Sequence, residues 1–279
     1  MSKPAVYPYV WRLPLLIWQG LFFLGPLVLM VAMSFWLVRN YRMEPAFVFD
    51  NWDRMLGRDY FWNAYWVTLW RATLAAVLST LIAFPAAFAL AFRVSETTRR
   101  WAVFFLIVPF FTSYLVRVYA WQVLLAESGP LNAIIGGLGL GPFTMLNSGF
   151  GAMVGYLTLV LPLVVILQTF SLAAIDRNLI EAARNLGASP RATLTQVILP
   201  AAKVGLIVGA VFAFILSFGD FVSPFYLGGS KPPTLSILII DTTKSGQQWP
   251  RAAVVAIMMI VTLFTVAFAA VGAAYGRRK

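Results

Sequence analysis

Glu181 is followed by two alanines, and Gly187 comes four residues after them. A carboxylate beside a low-profile helical surface suits close approach to another macromolecule, with the charge fixing orientation. That is recognition chemistry rather than bond-making. A polar connector between apolar runs would need polarity alone, and the stretch 176–200 carries more. Asp176 is a good N-cap, Gly187 is placed to end that helix in a left-handed turn, and Ser189-Pro190 can cap and open a second helix running through Val197 to Leu199-Pro200. Bond-making chemistry is missing elsewhere. The chain has no histidine and no cysteine, which excludes zinc sites of the usual ligand types, histidine-assisted nucleophiles, thiolate chemistry and disulfides. Lys244 is the one lysine followed by Ser or Thr, and Thr243 precedes it, so no Gly-Lys-Ser/Thr phosphate cradle exists. The acids Glu96, Asp176 and Glu181 have no evident catalytic partners. The chain is expected to be no enzyme and to hold no cofactor or metal.

The remaining candidates are charges inside apolar sequence, where each is costly. Asp220 lies between Gly219 and Pro224, where a helix is expected to break, among Phe218, Phe221, Phe225 and Tyr226. Exposed carbonyls and a carboxylate among aromatic rings suit a cation; the alternative is that Asp220 caps a helix end. Asp241 and Glu127 are weaker candidates for the same role. Arg71 and Arg117 fall inside apolar runs and either snorkel outward or bind carbonyls, or act in a gate, with Glu127 as a possible partner for Arg117.

These residues must be positioned by membrane-spanning helices. The 279 residues are 61% hydrophobic and 11% charged, against about 25% charged in soluble domains. No charge interrupts 13–38, 204–219 or 252–276, and none lies from 128 to 175. With roughly 20 apolar residues needed to cross a bilayer, helical spans are expected at about 13–38, 66–92, 101–125, 150–175, 203–223 and 252–276. The first is too long for a signal-peptide core and is expected to be retained. Trp11, Trp36, Trp66, Trp101, Trp121 and Trp249 mark several ends. With both termini inside, twelve Lys and Arg residues face the cytoplasm and seven face outward, which favours that orientation. The net charge of +11 thus sits at the ends of apolar runs, and nucleic acid is not an expected partner.

Between spans, 39–65 is expected to carry a short surface helix capped by Asp50 or Asn51. The Gly- and Pro-rich, charge-free segment 128–149 is expected to pack against protein or to be partly re-entrant. No internal repeat is visible, and no linker divides residues 1–279 into domains.

Glu181-Ala182-Ala183, three residues, Gly187, nine residues and Val197-Ile198-Leu199-Pro200 resemble the EAA loop of permease subunits in bacterial binding-protein-dependent ABC importers. Val197 stands where that family commonly has Ile. The resemblance implies an all-α, polytopic fold of six transmembrane helices, the type I importer permease fold, in the bacterial inner membrane. It implies that Glu181, Ala182, Ala183 and Gly187 form a coupling helix on an ATPase subunit, with Pro200 restarting the span. ATP and Mg would then be bound by a pair of ATPase subunits. A second permease chain, identical or homologous, and an external binding protein are also implied.

Two further stretches, Val108–Tyr119 and Gly219–Pro224 with Gly228-Gly229 and Trp249-Pro250, resemble spermidine/putrescine permeases. They imply a polyamine as the solute and Asp220, with Phe221 and Tyr226, as its candidate pathway. Related permeases carry opines, thiamine, iron, sulfate or phosphonates. The reading from another class is a self-sufficient channel or ion-coupled transporter, which usually has paired broken helices in two repeats.

Overall fold

In the computed structural model, which describes residues 7–276, the first apolar run is helical only as far as Met33. α1 (Tyr7–Gln19) passes through a π-helical turn at Gly20–Leu24 into α2 (Gly25–Met33). The wide turn precedes Pro26, which has no N–H to donate and whose ring crowds the carbonyl one turn back. Instead of continuing to residue 38, the chain forms an antiparallel hairpin of β1 (Leu37–Arg39) and β2 (Arg42–Glu44). Asn40 and Tyr41 turn it at φ 47° and 61°, conformations that Asn tolerates well. The hairpin corrects the span's end and leaves the all-α class standing, since the rest of the described chain is helical or irregular. Lys3, Arg277, Arg278 and Lys279, all counted in the orientation argument, lie outside the described residues.

α3 (Asp50–Leu56) is the expected short helix, but neither Asp50 nor Asn51 caps it with its side chain. Asp50 pairs with Arg54 at 2.9 Å. Asn51 is buried and donates to the carbonyls of Ser34 and Trp36, at 3.0 and 2.7 Å. It thereby closes backbone groups that the end of the first span leaves open.

α4 (Asp59–Phe92) runs unbroken for 34 residues. Its buried face reads Ala72, Ala75, Ser79, Ala83, Ala87 and Ala91, small residues that let neighbouring backbones approach. The third span is not one helix. α5 (Glu96–Ile107) ends in a 3₁₀ turn at Val108–Phe111, and α6 (Tyr114–Leu125) with α7 (Pro130–Gly137) leaves it at 92°. Pro109 cannot donate to the preceding turn, and Thr112 then goes extended (φ −92°, ψ 145°) with its hydroxyl on the Pro109 carbonyl at 2.8 Å. The charge-free stretch beyond α7 is held by the buried Asn132. Its amide donates to the Phe143 carbonyl and accepts from the Phe143 N–H, both at 2.9 Å.

α8 (Gly149–Ala173) is followed by α9 (Arg177–Asn185), a short α10 (Pro190–Ala192), a π-helical turn at Thr193–Ile198 and α11 (Leu199–Gly219). α12 (Val222–Tyr226), α13 (Leu235–Lys244) and α14 (Trp249–Tyr275) complete the described chain. α8 and α11 pack through Ala202, Gly205, Gly209 and Ala213, of which Gly205 is tightest: a Cβ there would lie 2.2 Å from Ser171. A Cβ at Gly155 would likewise meet Ser223 Oγ at 2.5 Å, so α8 also fits closely under α12.

The chain forms two compact units, one within Met1–Trp62 and Leu238–Ile260, the other within Asn63–Ile237 and Val261–Lys279. The packing of α8, α9, α11 and α12 belongs to the second. Among the described residues five helices are long and apolar enough to cross a bilayer, and the bent α5–α7 pair makes a sixth. The stretch Arg12–Met33 buries none of its apolar window.

Candidate functional site

The elbow of α9 and α10 is built by local capping. Asp176 Oδ1 accepts from the Asn178 N–H at 2.9 Å and starts α9. At its other end Gly187 has φ +81°, with Gly187 N–H donating to the Arg184 carbonyl and Ala188 N–H to the Ala183 carbonyl. This pair of bonds is a Schellman stop, which needs a left-handed residue. Ser189 Oγ then accepts from the Ala192 N–H at 3.2 Å, with Pro190 in the first helical position.

The elbow is anchored on one side and bare on the other. Ile180 is buried in a cluster with Leu172, Ile175, Ile198, Ala202 and the α4 residues Ala87 and Ala91. Leu179 and Leu186 are 54% and 89% exposed, and Glu181 and Ala182 are also exposed, while Ala183 is half-buried. Pro200 stands in the first turn of α11, within a helical segment that runs on from residue 190 to 219. The π turn at Thr193–Ile198 just before Pro200 relieves the ring clash that would otherwise break it. Between the elbow and the end of α4 lies a cleft of about 530 Å³ that Glu181 lines.

Asp220 forms the second site, at the break between α11 and α12. Its Oδ1 accepts from the Val222 N–H at 2.8 Å. Its Oδ2 accepts from the Ser223 N–H, the Ser223 hydroxyl and the Tyr114 hydroxyl, the last at 2.6 Å. The Tyr114 and Ser223 hydroxyl oxygens also lie against each other, with both of their protons directed at Oδ2. Asp220 therefore caps α12 and ties it to the start of α6, so the break in the fifth span is joined to the break in the third. With four donors on it and little exposure, the carboxylate is fully engaged in this conformation.

The other candidates are scattered. Phe221 is exposed, and Tyr226 packs edge-on against Tyr119 and Phe225, with ring centroids 5.2 and 4.9 Å apart. Arg71 is buried, with Nη1 3.5 Å from the Pro232 carbonyl. Arg117 donates to the Thr158 carbonyl at 3.4 Å and lies 5.6 Å from the Tyr114 ring centroid. Among the described residues no ion pair joins Arg117 to Glu127, which is exposed beyond α6. Asp241 is exposed on α13, in the other unit from Asp220. Sequence reasoning did not single out Tyr114 or Ser223; the Pro109–Ser113 stretch that frees Tyr114 to start a new helix was the available signal.

A family model described as the binding-protein-dependent transport system inner membrane component matches residues 79–279, which hold both sites. The chain is 28% identical over 178 residues to the spermidine/putrescine transport system permease protein PotB of Haemophilus influenzae. That stretch covers 63% of this chain and 62% of the relative, so the chain spans about three fifths of the curated relatives it matches. The structure is similar to a chain of a bacterial ABC transporter involved in import of the acidic polysaccharide alginate (TM-score 0.78, 18% identity, 98% and 96% of the two chains). It is also similar to a chain of a bacterial alginate ABC transporter in complex with its alginate pentasaccharide-bound periplasmic protein (TM-score 0.73, 18% identity, 95% and 92%). At such identity the likeness is one of fold.

Proposed function

We propose, since the chain belongs to the family of binding-protein-dependent transport system inner membrane components, that it is the membrane-spanning subunit of an ATP-driven importer. Its fold is that of the type I importer permeases. The observation that carries the reading is α9, a capped helix anchored by Ile180 that presents Leu179, Ala182 and Leu186 to a partner. We assign it as the coupling helix on an ATPase subunit. Glu181 meets a basic group there, Ala182 and Ala183 allow close approach, and Gly187 sets the angle of presentation. Through the π turn and Pro200 the elbow is continuous with the fifth span, so a push on α9 reaches the break at Asp220 as a rigid-body motion.

ATP and Mg belong to the ATPase subunits. One chain offers one α9 to a pair of ATPases, so a second permease chain, identical or homologous, completes the importer. An external binding protein delivers the solute, by analogy with the periplasmic protein of the alginate transporter. The likeness to a spermidine/putrescine permease supports a polyamine as that solute. Residues 1–279 act as one permease domain in a bacterial inner membrane, with both termini cytoplasmic. Asp220, Phe221 and Tyr226 are the pathway residues we favour, with Asp241 and Glu127 behind them, and Arg71 and Arg117 hold the outer ends of their spans.

The test is reconstitution in vesicles with the ATPase, the second permease and the binding protein encoded beside this chain. Labelled spermidine or putrescine should enter only with ATP and binding protein. Gradient-driven uptake by this chain alone would overturn the importer reading. ATP-dependent uptake of sulfate, iron or an opine instead would overturn only the polyamine assignment.

A further inference from the structure

The cleft between the elbow and α4 carries a positive charge pattern that the roles assigned to Glu181, Ala182, Ala183 and Gly187 do not account for. Arg93 follows α4, Arg177 and Arg184 stand on α9, and Arg191 lies in α10; all four line the same volume of about 530 Å³ with one carboxylate, Glu181. Among the described residues only Asp50–Arg54 and Glu96–Arg100 form ion pairs, so none of these four guanidinium groups is neutralised by a carboxylate within 4 Å. Four exposed guanidinium groups round one cavity give it a net positive potential that favours an anion. The cleft's other wall is apolar, formed by Phe88 and Phe92 in the last turns of α4.

We propose that this cleft holds the headgroup phosphate of an anionic phospholipid. Guanidinium forks match phosphate oxygens in pairs, which a compact ammonium cannot do. Basic pockets at the ends of membrane helices are where such headgroups bind. Phe88 and Phe92 stay half-buried at the end of a helix apolar enough to cross a bilayer, an apolar contact for an acyl chain that a free phosphate or an acidic peptide has no use for. The inference rests on α4 and α11 crossing a bilayer, not on ATP-driven import, so its failure leaves the importer reading intact.

The full chain, purified alone in detergent, is titrated with phosphatidylglycerol or phosphatidylcholine and bound lipid is counted by native mass spectrometry. Phosphatidylglycerol should be held about tenfold more tightly than phosphatidylcholine. Arg93→Gln with Arg191→Gln should remove that preference, a loss of about tenfold, while Arg42→Gln with Arg58→Gln should leave it unchanged. If the double variant cannot be purified, Arg191→Gln alone should lose about threefold. Equal retention by the wild type and either cleft variant overturns the proposal. So does displacement of the lipid by millimolar inorganic phosphate, which makes the site one for free phosphate. Unchanged lipid binding with lost ATPase co-purification would make the cleft a protein-docking site and overturn it too.

Discussion

At the scale of single residues, Asp220 separates two kinds of work. Asn at this position can still cap α12 and bond Tyr114, but it carries no charge. If the carboxylate serves a cationic solute in another conformation, Asp220→Asn should cut ATP-dependent polyamine uptake by about tenfold while melting close to wild type. Asp220→Ala removes the cap as well and should cost about 0.5–2 kcal/mol of stability in detergent. Equal uptake by wild type and the Asn variant would leave Asp220 a purely structural residue. Gly187 is the other sharp case. No atom lies within 4 Å of an added Cβ, so its φ of +81° is what demands glycine. Gly187→Val should strain the turn by about 1–2 kcal/mol and reduce ATPase co-purification without lowering helix content measured by circular dichroism.

At the scale of elements, signals that act within four residues were legible and those that act across the chain were not. Asp176, Gly187, Ser189 and Pro190 outline the elbow because each satisfies a backbone group nearby. Proline was ambiguous. Pro85 and Pro162 sit inside unbroken α4 and α8, whereas Pro109 stands where the third span turns by 92°. Membrane helices tolerate proline where neighbours re-satisfy the freed carbonyl, so sequence alone does not say which proline breaks its helix. What holds the break at Pro109 is Tyr114 on Asp220, partners 106 positions apart. The hairpin at 37–44 was missed for a related reason: Leu37 and Val38 extend an apolar run whose backbone is in fact closed off by Asn51. The α8–α11 seam shows the same dependence on tertiary context. Gly205→Val should clash with Ser171, destabilise the chain by about 1–3 kcal/mol and lower its melting temperature in detergent. A variant melting with wild type would mean that the seam opens more readily than its spacing implies.

For the whole molecule, span number and composition were readable because the bilayer imposes length and polarity directly, while the orientation count leaned partly on residues outside 7–276. The absence of cysteine makes a clean test available. Single cysteines at Leu186 and Phe47, both well exposed, should react with an impermeant maleimide from opposite faces of the membrane: Leu186→Cys only from the cytoplasm, Phe47→Cys only from outside. Labelling of both from one face would sink the six-span orientation.

The unbroken length of α4 has a further consequence. Thirty-four residues make a rod roughly 50 Å long, against a hydrocarbon layer ~30 Å thick. Such a rod must lean, or its Asp59 end, its Phe92 end or both must stand clear of the lipid tails. The Phe92 end anchors the cluster holding Ile180, so any lean or shift of α4 carries the elbow with it relative to the headgroups. If the chain is the importer's membrane subunit, ATP-dependent uptake in vesicles should pass through a maximum as the lipids are made progressively longer.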